Sequence, residues 1–372
     1  MEDKIKKMVR KEVMNFVPYV SGKPIDEVKR ELGIKGKVIK LASNENSIGV
    51  SKKVIQTLKK SLDGINRYPD SSSYILRKAI AKKHDLKTEN IIMGSGTDEI
   101  IELIGKTFLN QEDEIVVSEH AFIRYKMAGE LMGCKVVSVP MKNFTHDLKA
   151  MAKAVNGNTK VVFIANPNNP TGTYNTVEEV REFFVYIESN RLNPLVVFDE
   201  AYYEYARVQK NYPETILLLE KYPNIVILRT FSKIHSLAGL RAGYGIAAPE
   251  VISYLDRIRP PFNINLLAQI AALEALSDNA QIRESVRLVE KEKKYLYSEI
   301  TKLKLNYIQS AANFILIDVS IKTGQEVFQE LLKKGVIVRA MDEYGFPNHI
   351  RVTIGLTEEN SIFISALKKI LL

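Results

Sequence analysis

The sequence predicts an α/β protein: a three-layer α/β/α sandwich around a mostly parallel sheet, joined to a smaller α+β domain. Three observations predict it. Between Ile91 and Ala247, short apolar β-branched runs alternate with helical segments. Several of those runs, such as Ile225-Val226-Ile227-Leu228, contain no polar residue, as expected of strands buried on both faces. Beyond residue 304 the rhythm changes to strand, helix, strand, strand, helix.

Taken in order, residues 1–40 read as an N-terminal arm contributing to the small domain. A short amphipathic helix leads to Phe16-Val17-Pro18-Tyr19, and Pro24 opens a second helix that ends near Gly33. The large domain is expected over 41–265. A short strand at 38–42 spans the junction and leads to the turn Ser43-Asn44-Glu45-Asn46, followed by helices at 51–62 and 73–84 around the irregular Asn66-Arg67-Tyr68-Pro69-Asp70. Its strands are expected at 91–93, 114–117, 135–139, 161–165, 195–198, 226–228 and 244–247, with helices at 98–109, 121–132, 147–155, 177–190 and 213–221. The small domain is expected over 266–372, opening with helices at 266–277 and 279–304. The second of these carries Ile282, Val286, Val289, Leu296, Ile300 and Leu303 on one face. Strands at 313–319, 336–339 and 350–354 and helices at 324–334 and 358–371 complete it.

Bulk properties exclude several classes. A chain of 372 residues with 45% hydrophobic and 26% charged residues can bury a large core. The single cysteine, Cys134, excludes an intrachain disulfide and a cysteine-based zinc site. The five histidines show no ligand spacing, so no metal centre is expected. No apolar run approaches the roughly 18 residues a membrane span requires. The charged N-terminus has no apolar signal region, which points to a cytoplasmic location. The net charge of +9 comes from lysines scattered over helices, such as Lys291, Lys293 and Lys302, so it reads as a solvated surface rather than a nucleic-acid stripe.

Four stretches carry chemistry. Lys233 follows the apolar run 225–228, at the C-terminal end of a strand where open α/β sheets bind ligands. A desolvated lysine there has a lowered pKa and can form a Schiff base with an aldehyde. Arg241, in a glycine-rich loop, suits bidentate phosphate recognition. Gly94-Ser95-Gly96-Thr97-Asp98-Glu99 opens a helix; it reads equally as an anion cradle or as a helix start capped from Ser95 to Asp98. It lacks the third glycine of a dinucleotide fingerprint and the Gly-Lys-Ser/Thr of a Walker loop. Asn166-Pro167-Asn168-Asn169-Pro170-Thr171-Gly172 is a rigid polar turn after a strand. Asp199, directly after Val-Val-Phe, is expected to be nearly buried, and a buried carboxylate needs a partner. A pyridinium N–H is one such partner, and Tyr202 stands three residues on.

Together these strings resemble the fold-type I aminotransferases that use pyridoxal 5′-phosphate (PLP), and among them the histidinol-phosphate aminotransferase family. The likeness runs from Tyr19 to the last helix, through Asn44-Glu45-Asn46, Arg67-Tyr68-Pro69-Asp70, Gly96-Thr97-Asp98-Glu99, NPNNPTG (166–172), DEAYYE (199–204), TFSK followed by LAGLRAGY (230–244), RPPFNIN (259–265), Ala312-Asn313-Phe314, VIVRA (336–340) and IRVTIG (350–355). The resemblance implies that Lys233 bonds the coenzyme aldehyde and shuttles a proton, and that Asp199 pairs with the ring nitrogen. Asn169 and Tyr202 would bond the ring hydroxyl and Tyr125 would stack on the ring. Gly96, Thr97, Asp98, Thr230, Ser232 and Arg241 would hold its phosphate. Tyr68 would reach the neighbouring subunit's coenzyme, which implies a homodimer. Arg339 and Arg351 would grip the anionic group of a small-molecule substrate, with Tyr19 and Asn44 nearby. Two departures stand out: Glu119-His120 where relatives carry Pro-Thr, and Ile234-His235-Ser236 after the lysine, where His235 could alter the charge of the site.

The implied activity is amino transfer between L-histidinol phosphate and 2-oxoglutarate, in histidine biosynthesis. Three alternatives share much of the pattern: an aromatic amino acid aminotransferase, a threonine-phosphate decarboxylase-like enzyme, and a regulator built on the same fold. An NAD oxidoreductase is the remaining candidate. Gly243-Tyr244-Gly245-Ile246-Ala247-Ala248 loosely resembles a dinucleotide string, although no helix start is expected after it.

Overall fold

The structure is a computed structural model that describes residues 2–14, 16, 18 and 22–371. Its strands are β1 (Ile39–Lys40), β2 (Ile91–Gly94), β3 (Glu114–Ser118), β4 (Lys135–Val139), β5 (Thr159–Ala165), β6 (Leu195–Asp199), β7 (Ile225–Thr230), β8 (Gly243–Ala247), β9 (Tyr307–Ile308), β10 (Phe314–Asp318), β11 (Val336–Ile337), β12 (Arg339–Met341) and β13 (Phe346–Thr353). Seven of them form one sheet in the order β2-β8-β7-β6-β5-β3-β4. Pairing is parallel from β7 through β6, β5 and β3 to β4, whereas β8 runs antiparallel to both of its neighbours.

The strands alternate faces residue by residue. Val162, Ile164, Val196, Phe198, Ile225 and Ile227 join one buried cluster. Val161, Phe163, Val197, Val226 and Leu228 join the other. Both faces are therefore covered by helices, which is the three-layer arrangement the continuous apolar runs predict. Each fully buried Val, Ile, Leu or Phe contributes about 1.5–3 kcal/mol.

The C-terminal unit has its own core around Phe314, Ile315, Ile317, Ile350, Val352, Phe363 and Leu367. Its sheet runs β12-β13-β10-β9. The arm joins it: β1 pairs parallel with β11, and Val28 of helix Ile25–Leu32 packs with Leu332 and Ile337. Further upstream, Arg10 donates to the carbonyl of Leu131 at 2.8 Å, so the arm also touches the seven-stranded unit. Helix Leu266–Leu276 turns its alanines, Ala268, Ala271, Ala272 and Ala275, onto the core of the seven-stranded sheet. We therefore propose that the boundary between the units lies in the 277–278 turn rather than at 265.

Local differences from the sequence reading have physical reasons. Helix Pro249–Ile258 was not expected, yet Pro249 opens it and Ile252 and Leu255 are buried from it. A helix does therefore follow the 243–248 string. Its glycines nonetheless lie inside β8 rather than in a strand-to-helix turn, so the dinucleotide likeness fails on geometry. The expected helix at 213–221 is only a 3₁₀ turn, Thr215–Leu218. The expected strand at 336–339 is split, so that Arg339 starts β12.

Candidate active site

The C-terminal ends of β5, β6 and β7 open into a cavity of about 190 Å³ between the two units. Lys233, Asp199, Tyr202, Asn169, Tyr125, Thr97, Asp98, Thr230, Ser232, Arg241, Asn44, Arg339 and Arg351 all line it. Gly96 lies directly beneath Arg241: a Cβ added there would sit 2.5 Å from Nη2. Tyr68 is elsewhere, 83% exposed and stacked on Phe262 at 4.6 Å. Tyr19 lies outside the described residues.

The sequence forces this convergence locally. In the 166–172 turn, Asn166 and Asn175 bond reciprocally, Nδ2 to carbonyl at 3.1 Å and backbone N to Oδ1 at 2.8 Å. Asn168 donates to Thr171 at 2.9 Å. These bonds lock the turn and leave Asn169 as its asparagine that lines the cavity. Behind β6 and β7, Glu200 and Arg229 pair at 2.8 Å with almost no exposure, tying together the strand ends that carry Asp199 and Thr230. A buried pair of this kind is costly to break, because either partner alone is left as a bare buried charge.

Asp199 is 6% exposed. Its Oδ2 accepts from the Tyr125 hydroxyl at 2.7 Å and its Oδ1 from the Ala201 amide at 3.1 Å. Burial pushes its carboxyl up to about 6, against the pull of those two donors. Tyr125 stacks flat on Phe163 at 5.0 Å, and burial together with the Asp199 charge holds its phenol well above the usual range. Lys233 Nζ donates to the Ser43 carbonyl at 3.0 Å. Burial first, then the positive charge of Arg351, brings its ammonium down to about 8, with Glu45 pulling the other way. The Tyr202 hydroxyl accepts from Asn44 Nδ2 at 2.9 Å, and the Asn44 amide donates to Thr353 in the C-terminal unit at 2.9 Å.

At the Arg241 end, helix Thr97–Phe108 starts at Gly96, with φ +75° and no side-chain cap. The expected cap from Ser95 to Asp98 is absent; instead Glu99 accepts from the Ser95 amide at 2.6 Å. A Cβ on Gly243 would fall 2.8 Å from the Thr97 amide nitrogen, so bare backbone is packed there. Arg241 donates to Ser232 Oγ at 3.3 Å. Uncapped helix amides, an arginine and hydroxyls in one corner make an anion cradle.

At the other end, Arg351 donates to Asn169 Oδ1 and to the Ala42 carbonyl, the latter at 2.9 Å. Arg339 pairs with Glu343 at 2.7 Å. Sequence reasoning missed Ser43, Phe122 and Tyr344, which also line the cavity, and Glu343. The short acidic-aromatic turn between the two arginine strands was the available signal. The two departures also find places. His235 is buried against Phe231 and away from the cavity lining, and burial lowers it to about 3, so it is neutral and adds no charge to the site. His120 packs tilted against Phe346, ring centroids 4.3 Å apart, fitting beside Gly345, where a Cβ would lie 2.8 Å from its ring.

The model of the family aminotransferase class I and II matches residues 36–367. The chain belongs to that family, among the histidinol-phosphate aminotransferases. It is 47% identical to the histidinol-phosphate aminotransferase of Moorella thermoacetica over 363 residues, 97% of this chain and 92% of that protein. It is 45% identical to histidinol-phosphate aminotransferase 2 of Carboxydothermus hydrogenoformans, over 98% of this chain and 99% of that one. The crystal structure of the enzyme from Clostridium acetobutylicum aligns with a TM-score of 0.82 at 26% identity, covering 90% of this chain and 99% of that one. The Sinorhizobium meliloti enzyme in complex with pyridoxal-5′-phosphate aligns at 0.86 and 24% identity, over 98% and 97%, and shares the fold.

As a transaminase of this family, the aminotransferase uses PLP. The cavity fits it. The uncapped, Cβ-free corner at Gly96 and Gly243 suits a phosphate, and the buried Asp199 carboxylate suits a cationic ring nitrogen.

The lowered Lys233 pKa gives a direct expectation. With a folded value near 8 against an ordinary 10.5, the neutral amine gains ground as pH rises through 8. Labelling of Lys233 in the apoprotein by an amine-reactive reagent should therefore rise with a midpoint near pH 8. In Arg351→Ala that midpoint should move up, because a repelling positive charge is gone. A midpoint near 10 in the parent protein would contradict the burial described.

Proposed function

We propose that this aminotransferase moves the amino group between L-glutamate and L-histidinol phosphate, giving 2-oxoglutarate and imidazole acetol phosphate, as a cytoplasmic homodimer in histidine biosynthesis. One observation carries the reading beyond the relatives' names. A lysine and a buried carboxylate share one cavity with Arg339 and Arg351, besides Arg241 in its anion cradle, so an amine can react while an anionic tail is held.

PLP, when bound, supplies an aldehyde and an electron-withdrawing ring. In our reading Lys233 Nζ, largely neutral above pH 8, would bond the coenzyme aldehyde and would hold the proton that moves to and from the substrate carbon. Asp199 holds the ring nitrogen's proton, kept in place by Tyr125 and the Ala201 amide. Asn169 and Tyr202 would orient the ring oxygen, Tyr125 would support the ring, and Gly96, Thr97, Asp98, Thr230, Ser232 and Arg241 would anchor the phosphate. Arg351 and Arg339 take the substrate's anionic group beside Asn44. The exposed Tyr68–Phe262 stack and neighbouring Ile65, also exposed, suit burial against a second copy, where Tyr68 would complete the partner's site.

The test is a substrate panel on purified protein. The visible band of the yellow protein should bleach with glutamate, and kcat/KM should be highest for histidinol phosphate over aromatic amino acids and threonine phosphate. Preference for an aromatic amino acid, or release of carbon dioxide from threonine phosphate, would overturn the assignment.

A further inference from the structure

We propose that Glu343 is a built-in anion that competes with substrate for Arg339 and so keeps anionic substrates and products, a phosphate most of all, from being held too tightly. The proposal rests on the reading of a phosphate-bearing substrate above and adds the residue that keeps its hold reversible.

β12 and β13 pair antiparallel with Arg339 directly opposite Arg351. Side chains directly opposite on one face have Cβ atoms only about 4.5–5.5 Å apart, and like charges there repel. Both arginines line the cavity, and they are only 9% and 7% exposed, so water does little to screen them. Yet they are compensated differently. Arg351 donates to neutral acceptors, Asn169 Oδ1 and the Ala42 carbonyl. Arg339 is met by a full negative charge, with its Nη2 2.7 Å from Glu343 Oε2. Glu343 stands four residues on, in the turn Asp342–Tyr344 that links the two arginine strands, and neighbouring Tyr344 lines the same cavity.

The exposure of the pair is asymmetric. The Arg339 side chain is 11% exposed, that of Glu343 38%. Glu343 can therefore leave for water without stranding a buried charge, whereas Arg339 cannot move out in the same way. An incoming anion thus meets an arginine already occupied by a tethered carboxylate. A substrate carboxylate is chemically the same ligand as Glu343, and the tether gives Glu343 a high effective concentration. Such a substrate gains little from Arg339. A phosphate monoester carries about −1.5 to −2 charge at neutral pH and three acceptor oxygens, so it displaces Glu343 and bridges both arginines. The enzyme must handle both kinds of anion in its two half-reactions. Any anion that takes Arg339 must first displace Glu343, so the hold on both is weakened enough for products to leave.

Holoenzyme of the parent, Glu343→Gln, Arg339→Gln and the double variant tests this. Glutamate and the non-reacting dicarboxylate glutarate are titrated by the visible band, inorganic phosphate is titrated as a competitor, and histidinol phosphate is measured by KM. Glu343→Gln keeps an acceptor for Arg339 but removes the charge. Binding of inorganic phosphate and histidinol phosphate should tighten about tenfold, equivalent to about 1.4 kcal/mol, and that of glutamate and glutarate by as much or less. In the Arg339→Gln background the same change should tighten either class by less than about threefold. If Glu343 only splints Arg339, Glu343→Gln weakens both classes, and the proposal falls. An unchanged protein overturns it as well. Should the parent fail to turn over histidinol phosphate, the functional reading fails, while the titrations with glutarate and inorganic phosphate still judge Glu343.

Discussion

Replacing Lys233 with alanine abolishes amino transfer, lowering kcat by several orders of magnitude, and removes the visible band of the coenzyme-loaded protein. The expectation follows from what else the cavity offers. Of the residues that line it, Lys233 is the lysine, its amine brought down to about 8 by burial and by Arg351. No other group there combines a neutral amine near physiological pH with a fixed position, held by the Ser43 carbonyl at 3.0 Å. Neither the arginine guanidiniums nor the tyrosine hydroxyls can form the same bond with an aldehyde. Phosphate anchoring at Gly96 and Arg241 does not depend on Lys233, so the variant should still bind the coenzyme without the covalent attachment. Turnover within tenfold of the parent would refute the role.

Asp199→Asn should cost nearly as much activity while making the apoprotein more stable. The substitution preserves volume and leaves an oxygen to accept from Tyr125, so the charge is what is lost. A buried charge deprived of its partner costs about 3–5 kcal/mol, which corresponds to about 10²- to 10⁴-fold in kcat if the cost falls on the transition state. The stability effect has the opposite sign. A carboxyl raised to about 6 from an ordinary 3.8 binds its proton more tightly in the folded state. Its penalty is therefore complete above pH 6 and disappears as pH falls toward 4. The neutral amide avoids it, so denaturant titration of the apoprotein at pH 7.5 should show a gain on the order of 2–3 kcal/mol that vanishes near pH 4. Loss of activity without this pH-dependent gain would mean that Asp199 is not the buried charge described.

The sheet and the lysine end of the site were legible because their determinants are local. The run 225–228 is short, β-branched and bounded by polar residues, which marks a buried strand without reference to the rest of the chain, and Lys233 follows it within the same stretch. The 166–172 turn carries its own hydrogen bonds, so its string identifies it. Helix Pro249–Ile258 was missed because it is short and runs into the irregular 259–265 segment. Partners across the chain were not legible. Tyr125 reaches Asp199 across 74 positions, Lys233 reaches Ser43 across 190, and Arg351 reaches Asn169 across 182. Nothing local to Arg339 indicates that it faces Arg351 across a ladder, or that Glu343 turns back onto it. The helix start at Thr97 shows the same limit. Ser95 looks like a cap in sequence, but Glu99 takes its amide and leaves the first turn open to an anion.

The most direct measurement is borohydride reduction of the coenzyme-loaded protein followed by peptide mass mapping. The account predicts a single pyridoxyl adduct on Lys233, absent after pretreatment with glutamate. An adduct on another lysine, or none at all, would contradict it.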